Sequence, residues 1–261
     1  MSQPFKVLVV GGTHGNEFSG VQLFKQWQQQ PLDYPELSIS LDMGNPSAHQ
    51  INRRYVDKDL NREFTLPWLA DPSRTHCEGQ RAKVLNQQYG PKGADSQTDL
   101  VIDLHNTTSN MGPTLILLAD GLWERQLAAY VKQHMKEAVI LLELEKPYQE
   151  WGYLCTLGQR GVMVEVGPQA NSVLRHNVLV QMDTMTQLVL AFCALEQSQQ
   201  LPALPSEIEA FSSCASYNLP LDKQGRPLAM VHQRLEGRDF EALEPGEPIF
   251  QYFDGQVGTN P

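Results

Sequence analysis

The chain has 261 residues, of which 41% are hydrophobic and 19% are charged, a balance typical of a soluble globular protein rather than a disordered one. Its net charge of −10 argues against nucleic acid or an anionic membrane as a partner, because both require a basic surface. The amino terminus lacks the pattern of a secretory signal, the four cysteines form no CxxC pair, and no apolar run reaches the roughly 18 residues of a membrane span, which together predict a cytoplasmic location.

Strand-like apolar runs alternate with amphipathic segments along the first 200 residues. Residues 5–10 form a short apolar run that ends in Gly11-Gly12, the pattern of a buried strand followed by a tight turn. Residues 17–30 carry apolar side chains at helical spacing. This alternation predicts an α/β domain with a largely parallel sheet. The further predicted strands are 37–41, 100–104, 114–119, 139–144 and 162–166, and the further predicted helices are 80–89, 122–136 and a long one carrying residues 174–192.

The composition changes after a Gln/Ser-rich step at 196–200, which is followed by the proline-containing run 201–205. This step predicts a boundary between a domain at 1–200 and a small β-rich domain at 201–261. The strand-like segments of the second domain are 208–217, 228–231 and 248–253.

The sharpest local feature is the sequence GGTHGNE at residues 11–17, where a predicted strand meets a predicted helix. This junction is the usual edge for ligand sites in α/β sheets. His14 and Glu17 are three residues apart, so on one helical turn they face the same way and could bind one ion. A phosphate loop needs a lysine followed by Ser or Thr, and a dinucleotide fingerprint needs GxGxxG; the segment supplies neither. Taken alone, the pair is compatible with a metal site or with a plain helix cap.

A second candidate is His105, which follows the apolar strand predicted at 100–104. Together with His14 and Glu17 it completes a set of two histidines and one carboxylate, and three protein ligands with an open fourth position are how catalytic zinc is held. Asp103 lies two residues earlier on the same strand face and is a candidate acceptor that orients a ligand imidazole. A histidine that ends a strand is more often structural, and only the combination favours a metal site.

Two further polar features have alternative interpretations. Glu165 lies inside the apolar strand predicted at 162–166, where a lone ionised carboxylate is costly. It either pairs with an arginine or borders a polar site, where it could take a proton from an attacking water. The charged segment 53–62 is either a solvated loop or a source of arginine forks for a substrate carboxylate and a developing oxyanion.

Four motifs, in this order, resemble the aspartoacylase–succinylglutamate desuccinylase branch of the zinc carboxypeptidase superfamily, in particular aspartoacylase and its aminoacylase relatives. They are GGTHGNE, the DKDLNR sequence at 57–62, DLHNTTSNMGPTLIL at 103–117 and VEVGPQ at 164–169. The resemblance is collinear from about residue 6 to the end of the chain. It implies a zinc-carboxypeptidase-like α/β domain with a mostly parallel mixed sheet, followed by a small C-terminal β-rich domain.

The resemblance also implies a set of site residues. One zinc ion per chain would be bound by His14, Glu17 and His105. Glu165 corresponds to the general base of such enzymes, and Arg54 to the arginine that polarises the scissile carbonyl. Asn61 and Arg62 correspond to the pair that would grip the amino-acid carboxylate. The further candidates for substrate binding are Asn106 and Tyr153, the latter close to Trp151, on which a tyrosine of the family falls by gap-free counting.

The sequence departs from the family at two points. By gap-free counting, Cys155 stands where aspartoacylases have an arginine that binds the aspartyl side-chain carboxylate, and a thiol cannot supply a fork of donors. A weaker preference for N-acetylaspartate is therefore expected, unless Arg160 substitutes from another direction. The family also continues past a turn like 254–255 into a strand and a tyrosine-bearing loop, whereas this chain stops at Pro261, which predicts truncation or a more open pocket.

The sequence thus predicts a zinc-dependent amidohydrolase that removes the acyl group from an N-acyl amino acid, in the first place N-acetyl-L-aspartate, to give acetate and L-aspartate. A broader N-acyl amino acid deacylase and a succinylglutamate desuccinylase-like enzyme are the alternatives within this class. A zinc-binding scaffold with impaired turnover and a nucleotide-binding α/β protein are the alternatives outside it. The expected partner is a small molecule, with neither nucleic acid nor membrane, and a homo-oligomer is left open.

Overall fold

A computed structural model describes residues 4–260 of the chain. Residues 1–3 and 261, which enter the predictions about the signal sequence, the outer domain limits and the end of the chain, lie outside the described residues. Within residues 4–260 the strands fall mostly where apolar runs predict them. They are β1 (Phe5–Gly11), β2 (Leu37–Met43), β3 (Leu100–Asn106), β4 (Gly112–Leu117), β5 (Val139–Leu142), β6 (Arg160–Gly167), β7 (Phe211–Ser212), β8 (Ala229–Val231), β9 (Pro248–Tyr252) and β10 (Val257–Thr259).

Several helices begin at residues whose side chains accept a hydrogen bond from the first turn. The Asn45 side chain accepts from the Ala48 amide, and Nδ1 of His76 accepts from the Gly79 amide, so that two otherwise unpaired helix donors are satisfied. The α-helices are α1 (Phe18–Gln29), α2 (Pro46–Gln50), α3 (Leu66–Ala70), α4 (Cys77–Tyr89), α5 (Leu122–His134) and α6 (His176–Gln197).

A seven-stranded sheet forms the centre of the molecule, in the order β2-β1-β3-β6-β4-β5-β7. Strands β1, β2, β3 and β6 are parallel to one another, whereas β4 pairs antiparallel with β6, and β5 continues in the direction of β4. The expected mostly parallel mixed sheet is confirmed. Because β4 is reversed, its amino end meets the carboxyl ends of β1, β3 and β6 at one edge, and polar side chains from several strands can converge there.

The two faces of the sheet are covered differently. Helices α1, α5 and α6 pack on one face over a core of apolar side chains, while α4 and a 3₁₀ helix at Leu154–Leu157 cover the other face. Among the described helices α6 is long and apolar enough to cross a membrane, but half of its most apolar stretch is buried inside the protein. Its apolar stripe packs against the sheet, as in the core helix of an α/β domain.

The last part of the chain forms a three-stranded antiparallel sheet in the order β10-β9-β8. The predicted strand at 208–217 is reduced to the two residues of β7, which pair with β5 and so extend the main sheet. Only Phe211 and its neighbour reach that edge, where the ring of Phe211 packs 4.7 Å from the ring of Phe240. The C-terminal β structure is confirmed, and the domain boundary between residues 200 and 201 stays a prediction.

Candidate metal centre and active site

Three side chains with metal-binding atoms meet at the carboxyl edge of the sheet. His14 lies in the turn after β1, Glu17 immediately precedes α1, and His105 lies near the end of β3. Nδ1 of His14 is 2.7 Å from Oε1 of Glu17, and Nδ1 of His105 is 3.1 Å from Oε2 of the same carboxylate. The two Nδ1 atoms are 3.2 Å apart, and all three residues are buried. The structure thus brings together the three residues that the sequence singled out.

The chemistry and spacing of these three donors fit a zinc ion. Two imidazole nitrogens 3.2 Å apart cannot both carry a hydrogen directed at the other, so at least one presents a lone pair to its neighbour. Zinc bonds of about 2.0–2.1 Å place tetrahedral ligand atoms roughly 3.3 Å from one another. The separations of 3.1 and 3.2 Å between His105 Nδ1 and its two neighbours are close to that value. A His₂Glu set with a fourth position open is typical of catalytic zinc.

The second ring nitrogen, Nε2, of each imidazole lies next to a carboxylate of its own. Nε2 of His105 is 2.8 Å from Oδ2 of Asp103, and Nε2 of His14 is 3.0 Å from Oδ1 of Asp59. A carboxylate on the second nitrogen fixes the ring orientation and the tautomer of a ligand histidine. The strand periodicity pointed to Asp103. It could not point to Asp59, which lies in the charged segment 53–62, and whose only signal was its place in the DKDLNR motif.

The carboxylates of Glu17, Asp59 and Asp103 stabilise positive charge at His14 and His105. Burial alone would raise the pKa of Glu17, but hydrogen bonds from His105 and His14 lower it to about 2. Burial alone would lower the pKa of each histidine, yet Asp59 and Glu17 raise the pKa of His14, and Asp103 and Glu17 raise the pKa of His105 well above its usual value. The cluster therefore favours a cation at its centre, and a metal ion bound there would displace protons.

Glu165 and Arg54 border the same cavity as His14 and Glu17; this cavity has a volume of about 400 Å³. Burial raises the pKa of Glu165 to about 7, so its carboxyl group can both accept and return a proton near neutral pH. Nη1 of Arg54 is 3.3 Å from Oε1 of Glu17, and Nη2 is 3.1 Å from Oδ2 of Asp59. This guanidinium group is therefore positioned to stabilise negative charge that develops beside the three converging side chains.

The cavity is lined by these polar groups and also by Ile116 of β4 and Leu141 of β5. One rim is the loop after β3, in which the Asn110 amide donates to Oδ2 of Asp239 at 2.8 Å and its side-chain amide donates to the Gly237 carbonyl at 2.7 Å. The C-terminal part of the chain thus fixes one rim of the cavity. The remaining lining residues are Asn106, Thr107, Thr108, Met111, Ile116, Leu141, Glu143 and Asn171.

Asn106 lines the cavity, but its polar atoms are largely engaged within the protein. Its backbone amide donates to Oε2 of Glu17 at 3.0 Å. Its Oδ1 accepts from Ser19 and Gln169, and its Nδ2 donates to the Val166 carbonyl. Asn106 therefore holds Glu17 in place, and its substrate-binding role stays a prediction.

The other three residues assigned to substrate binding lie beside the cavity and not in its described lining. The Asn61 side chain is buried; its Oδ1 accepts from the Leu154 amide at 2.7 Å, and its Nδ2 is 3.4 Å from Nε2 of His105. Arg62 is exposed, and its guanidinium group lies 5.0 Å from the centre of the Tyr153 ring. These contacts place Arg62 and Tyr153 together near the site, and their roles stay predictions.

The described lining of the cavity does not include Cys155, the residue that gap-free counting places where aspartoacylases have an arginine. The 3₁₀ helix at Leu154–Leu157 turns Cys155 inward, where it has no exposed surface and burial raises its pKa well above the usual value. Arg160 cannot substitute, because it begins β6 five residues before Glu165, roughly 16 Å away along the strand. Its guanidinium group instead lies 5.0 Å from the centre of the Trp123 ring.

A second group of possible metal ligands, Asp57, His76 and Glu78, lies away from the cavity. The oxygens of Glu78 accept hydrogen bonds from the Asn45 side chain and from three consecutive backbone amides at 56–58. This carboxylate therefore fixes the backbone of the charged segment, which explains its burial without a metal ion.

Comparison with known proteins gives a consistent assignment. Residues 4–193 match the Succinylglutamate desuccinylase/Aspartoacylase catalytic domain family, and residues 206–259 match the AstE/AspA barrel-sandwich hybrid domain family. The chain is 39% identical to an N-acyl-aromatic-L-amino acid amidohydrolase (carboxylate-forming) of Rattus norvegicus, over 96% of this chain and 80% of the rat protein. It is 33% identical to a probable aspartoacylase of Trichodesmium erythraeum, over 97% of this chain and 86% of the cyanobacterial protein.

Solved structures support the fold. Murine aminoacylase 3 is similar with a TM-score of 0.91 and 34% identity, over 100% of this chain and 88% of the murine chain. A succinylglutamate desuccinylase from Vibrio parahaemolyticus has a TM-score of 0.64 at 14% identity, over 100% of this chain and 76% of the Vibrio chain, and shows the fold alone.

Proposed function

The chain belongs to the succinylglutamate desuccinylase/aspartoacylase family, and on this basis we propose that it is a zinc-dependent amidohydrolase that removes the acyl group from N-acyl amino acids. The observation that carries the proposal is the convergence of His14, Glu17 and His105 in one site, with Glu165 and Arg54 in the adjoining cavity. The names of its relatives, N-acyl-aromatic-L-amino acid amidohydrolase and aspartoacylase, support the same reaction class. A cytoplasmic location stays a prediction.

The residues around the cavity supply the steps of amide hydrolysis. Zinc held by His14, Glu17 and His105 would lower the pKa of a water molecule and polarise the acyl carbonyl. Glu165 takes the proton of the attacking water and returns it to the leaving amine, a task suited to its pKa of about 7. Arg54 donates hydrogen bonds to the oxyanion that forms when the carbonyl is attacked.

The cavity favours an N-acyl amino acid with a neutral side chain over N-acetylaspartate. Among the described lining residues the only lysine or arginine is Arg54, which is committed to the polar end of the cavity. The lining also includes the apolar residues Met111, Ile116 and Leu141. A second carboxylate on the substrate would find no fork of donors there, whereas an apolar side chain would contact this wall.

The proposal is tested by metal analysis combined with a substrate panel. We expect one zinc ion per chain, loss of activity with a chelator and recovery of activity with added zinc. The panel compares N-acetyl derivatives of phenylalanine, asparagine and aspartate with N-succinylglutamate, by release of the free amine. The proposed function would be refuted if the zinc-loaded protein released amine from none of these four substrates.

Replacing Arg62 with alanine is expected to raise KM by roughly tenfold or more and to lower kcat much less. A guanidinium group that clamps the substrate carboxylate contributes to binding in both ground and transition states. Steady-state kinetics with the free acid and with its carboxamide analogue provide the measurement, and Arg125→Ala, a change at an exposed arginine paired with Asp120, is the matched control. An equal loss for the carboxamide would place the clamp elsewhere.

A further inference from the structure

Glu143 is a cavity-lining carboxylate that the proposed catalytic steps do not use. The pairing of β4 with β5 and β6 places Ile116 beside Leu141 and Thr114 beside Glu165. Because side chains alternate along a strand, Leu141 and the residue two positions later project to the same face of the sheet as Glu165. The amide of Glu143 continues the sheet by donating to the Leu117 carbonyl at 2.9 Å. Glu143 thus ends the apolar wall of the cavity.

The surroundings of Glu143 are unusual for a carboxylate. It is half-buried, and its Oε2 has no hydrogen-bond partner within the described residues. Burial raises the pKa of Glu143, and the negative charge of Glu145 raises it further. A hydrogen bond from Tyr153 and the positive charge of Arg62 act in the opposite direction and lower this pKa. An unpaired acceptor in a buried position costs free energy, so such a group in a folded protein calls for an explanation.

The position of Glu143 links it to the amino-acid half of the substrate. Arg62 and Tyr153, the residues assigned to that half, both lie near enough to shift the pKa of Glu143. The cationic side chain in the described lining, Arg54, is paired with Glu17 and Asp59. A substrate side chain lying along the apolar wall would therefore end beside the Glu143 carboxylate, while Arg62, the cation that acts on Glu143, is assigned to the amino-acid carboxylate of the substrate.

We propose that Glu143 is a specificity-determining residue that sets the charge accepted in the substrate: it admits neutral amino-acid side chains and repels a second carboxylate. The inference rests on the proposed function and assigns its substrate class to one residue. Two like charges a few ångströms apart in a partly desolvated cavity repel each other far more strongly than in water. Discrimination against an acidic side chain of at least tenfold is therefore expected.

N-acetylaspartate and N-acetylasparagine are a suitable pair of probes, because they are nearly isosteric and differ by one charge. At mildly alkaline pH the unmodified protein should hydrolyse the asparagine derivative with at least tenfold higher kcat/KM. This ratio should shrink as salt is added, because salt screens the repulsion. A preference for N-acetylaspartate, or a ratio that does not respond to salt, would overturn the proposal without any variant.

Glu143→Gln removes the charge and keeps the shape of the side chain. It should raise the ratio of kcat/KM for N-acetylaspartate to that for N-acetylasparagine by at least tenfold. Glu145→Gln, which removes a charge at an exposed position two residues away, is the matched control and should leave the ratio within about twofold. An unchanged ratio in Glu143→Gln would overturn the role of Glu143 alone. Absence of hydrolysis of every N-acyl amino acid by the unmodified protein would overturn both this role and the proposed function.

Discussion

Replacing His105 with alanine is expected to abolish stoichiometric zinc binding and hydrolysis together. His105 supplies one of three converging donors, and its Nδ1 is 3.1 Å from the Glu17 carboxylate and 3.2 Å from Nδ1 of His14. Two remaining protein ligands form a site too weak to hold zinc during purification and dialysis. The measurement is the zinc content per chain, by elemental analysis, beside amine release from an N-acetyl amino acid.

The His105 variant needs a control for folding, because its loss leaves the buried carboxylate of Asp103 without its imidazole partner, which is destabilising. His105→Gln offers an amide that can still donate to Asp103, and His134→Ala makes the same change at an exposed histidine on α5. Thermal unfolding separates loss of the fold from loss of the metal. One full zinc equivalent in folded His105→Ala would refute the ligand assignment.

Glu165→Gln is expected to retain zinc and substrate binding and to lose kcat by about 10²-fold or more. A glutamine amide keeps the size of the side chain but cannot accept a proton from water at neutral pH, and removal of a general base typically costs this much. The pKa of about 7 that burial gives Glu165 suits it to accept the proton and to return it.

For Glu165→Gln the informative measurements are kcat, the zinc content and the affinity for a non-hydrolysed substrate analogue. Glu137→Gln makes the same substitution at an exposed position next to the end of α5 and should behave like the unmodified protein. A kcat within a few-fold of normal in the Glu165 variant would mean that another group accepts the proton. A parallel loss of zinc would show instead that Glu165 supports the metal.

Periodicity in the sequence was sufficient to predict the longer strands and helices of the main domain, because these repeat their apolar pattern, whereas the five-residue helices α2 and α3 were not predicted. It also brought His14, Glu17 and His105 together, since the carboxyl ends of neighbouring parallel strands lie at one edge of a sheet. The place of Glu165 inside an apolar strand already marked it as a candidate, and the resemblance to a known family added Arg54; the structure places both in the same cavity. The parts that follow from local pattern and strand direction were therefore predictable.

The remaining features depend on contacts between distant segments that no local pattern records. Asp59 reaches His14 across 45 residues of sequence, from a loop whose charges are compatible with plain solvation. Cys155 is turned inward by a short 3₁₀ helix, and counting along the sequence could not show that it is fully buried. Glu143 lies just beyond β5, where only the pairing with β4 shows that it faces the cavity.

Because β4 and β5 run opposite to β1, β3 and β6, the proposed catalytic residues and the apolar wall of the cavity lie on different strands and can be substituted independently. The proposed catalytic residues depend on turns and strand ends around β1, β3 and β6, where a small backbone shift would misplace several groups at once. The wall proposed to meet the substrate side chain is instead built from Ile116, Leu141 and Glu143, on or next to hydrogen-bonded strands. Single substitutions there change the shape or charge of the wall while the backbone stays fixed. Substrate range can therefore drift during evolution, one wall residue at a time, on an unaltered hydrolytic centre.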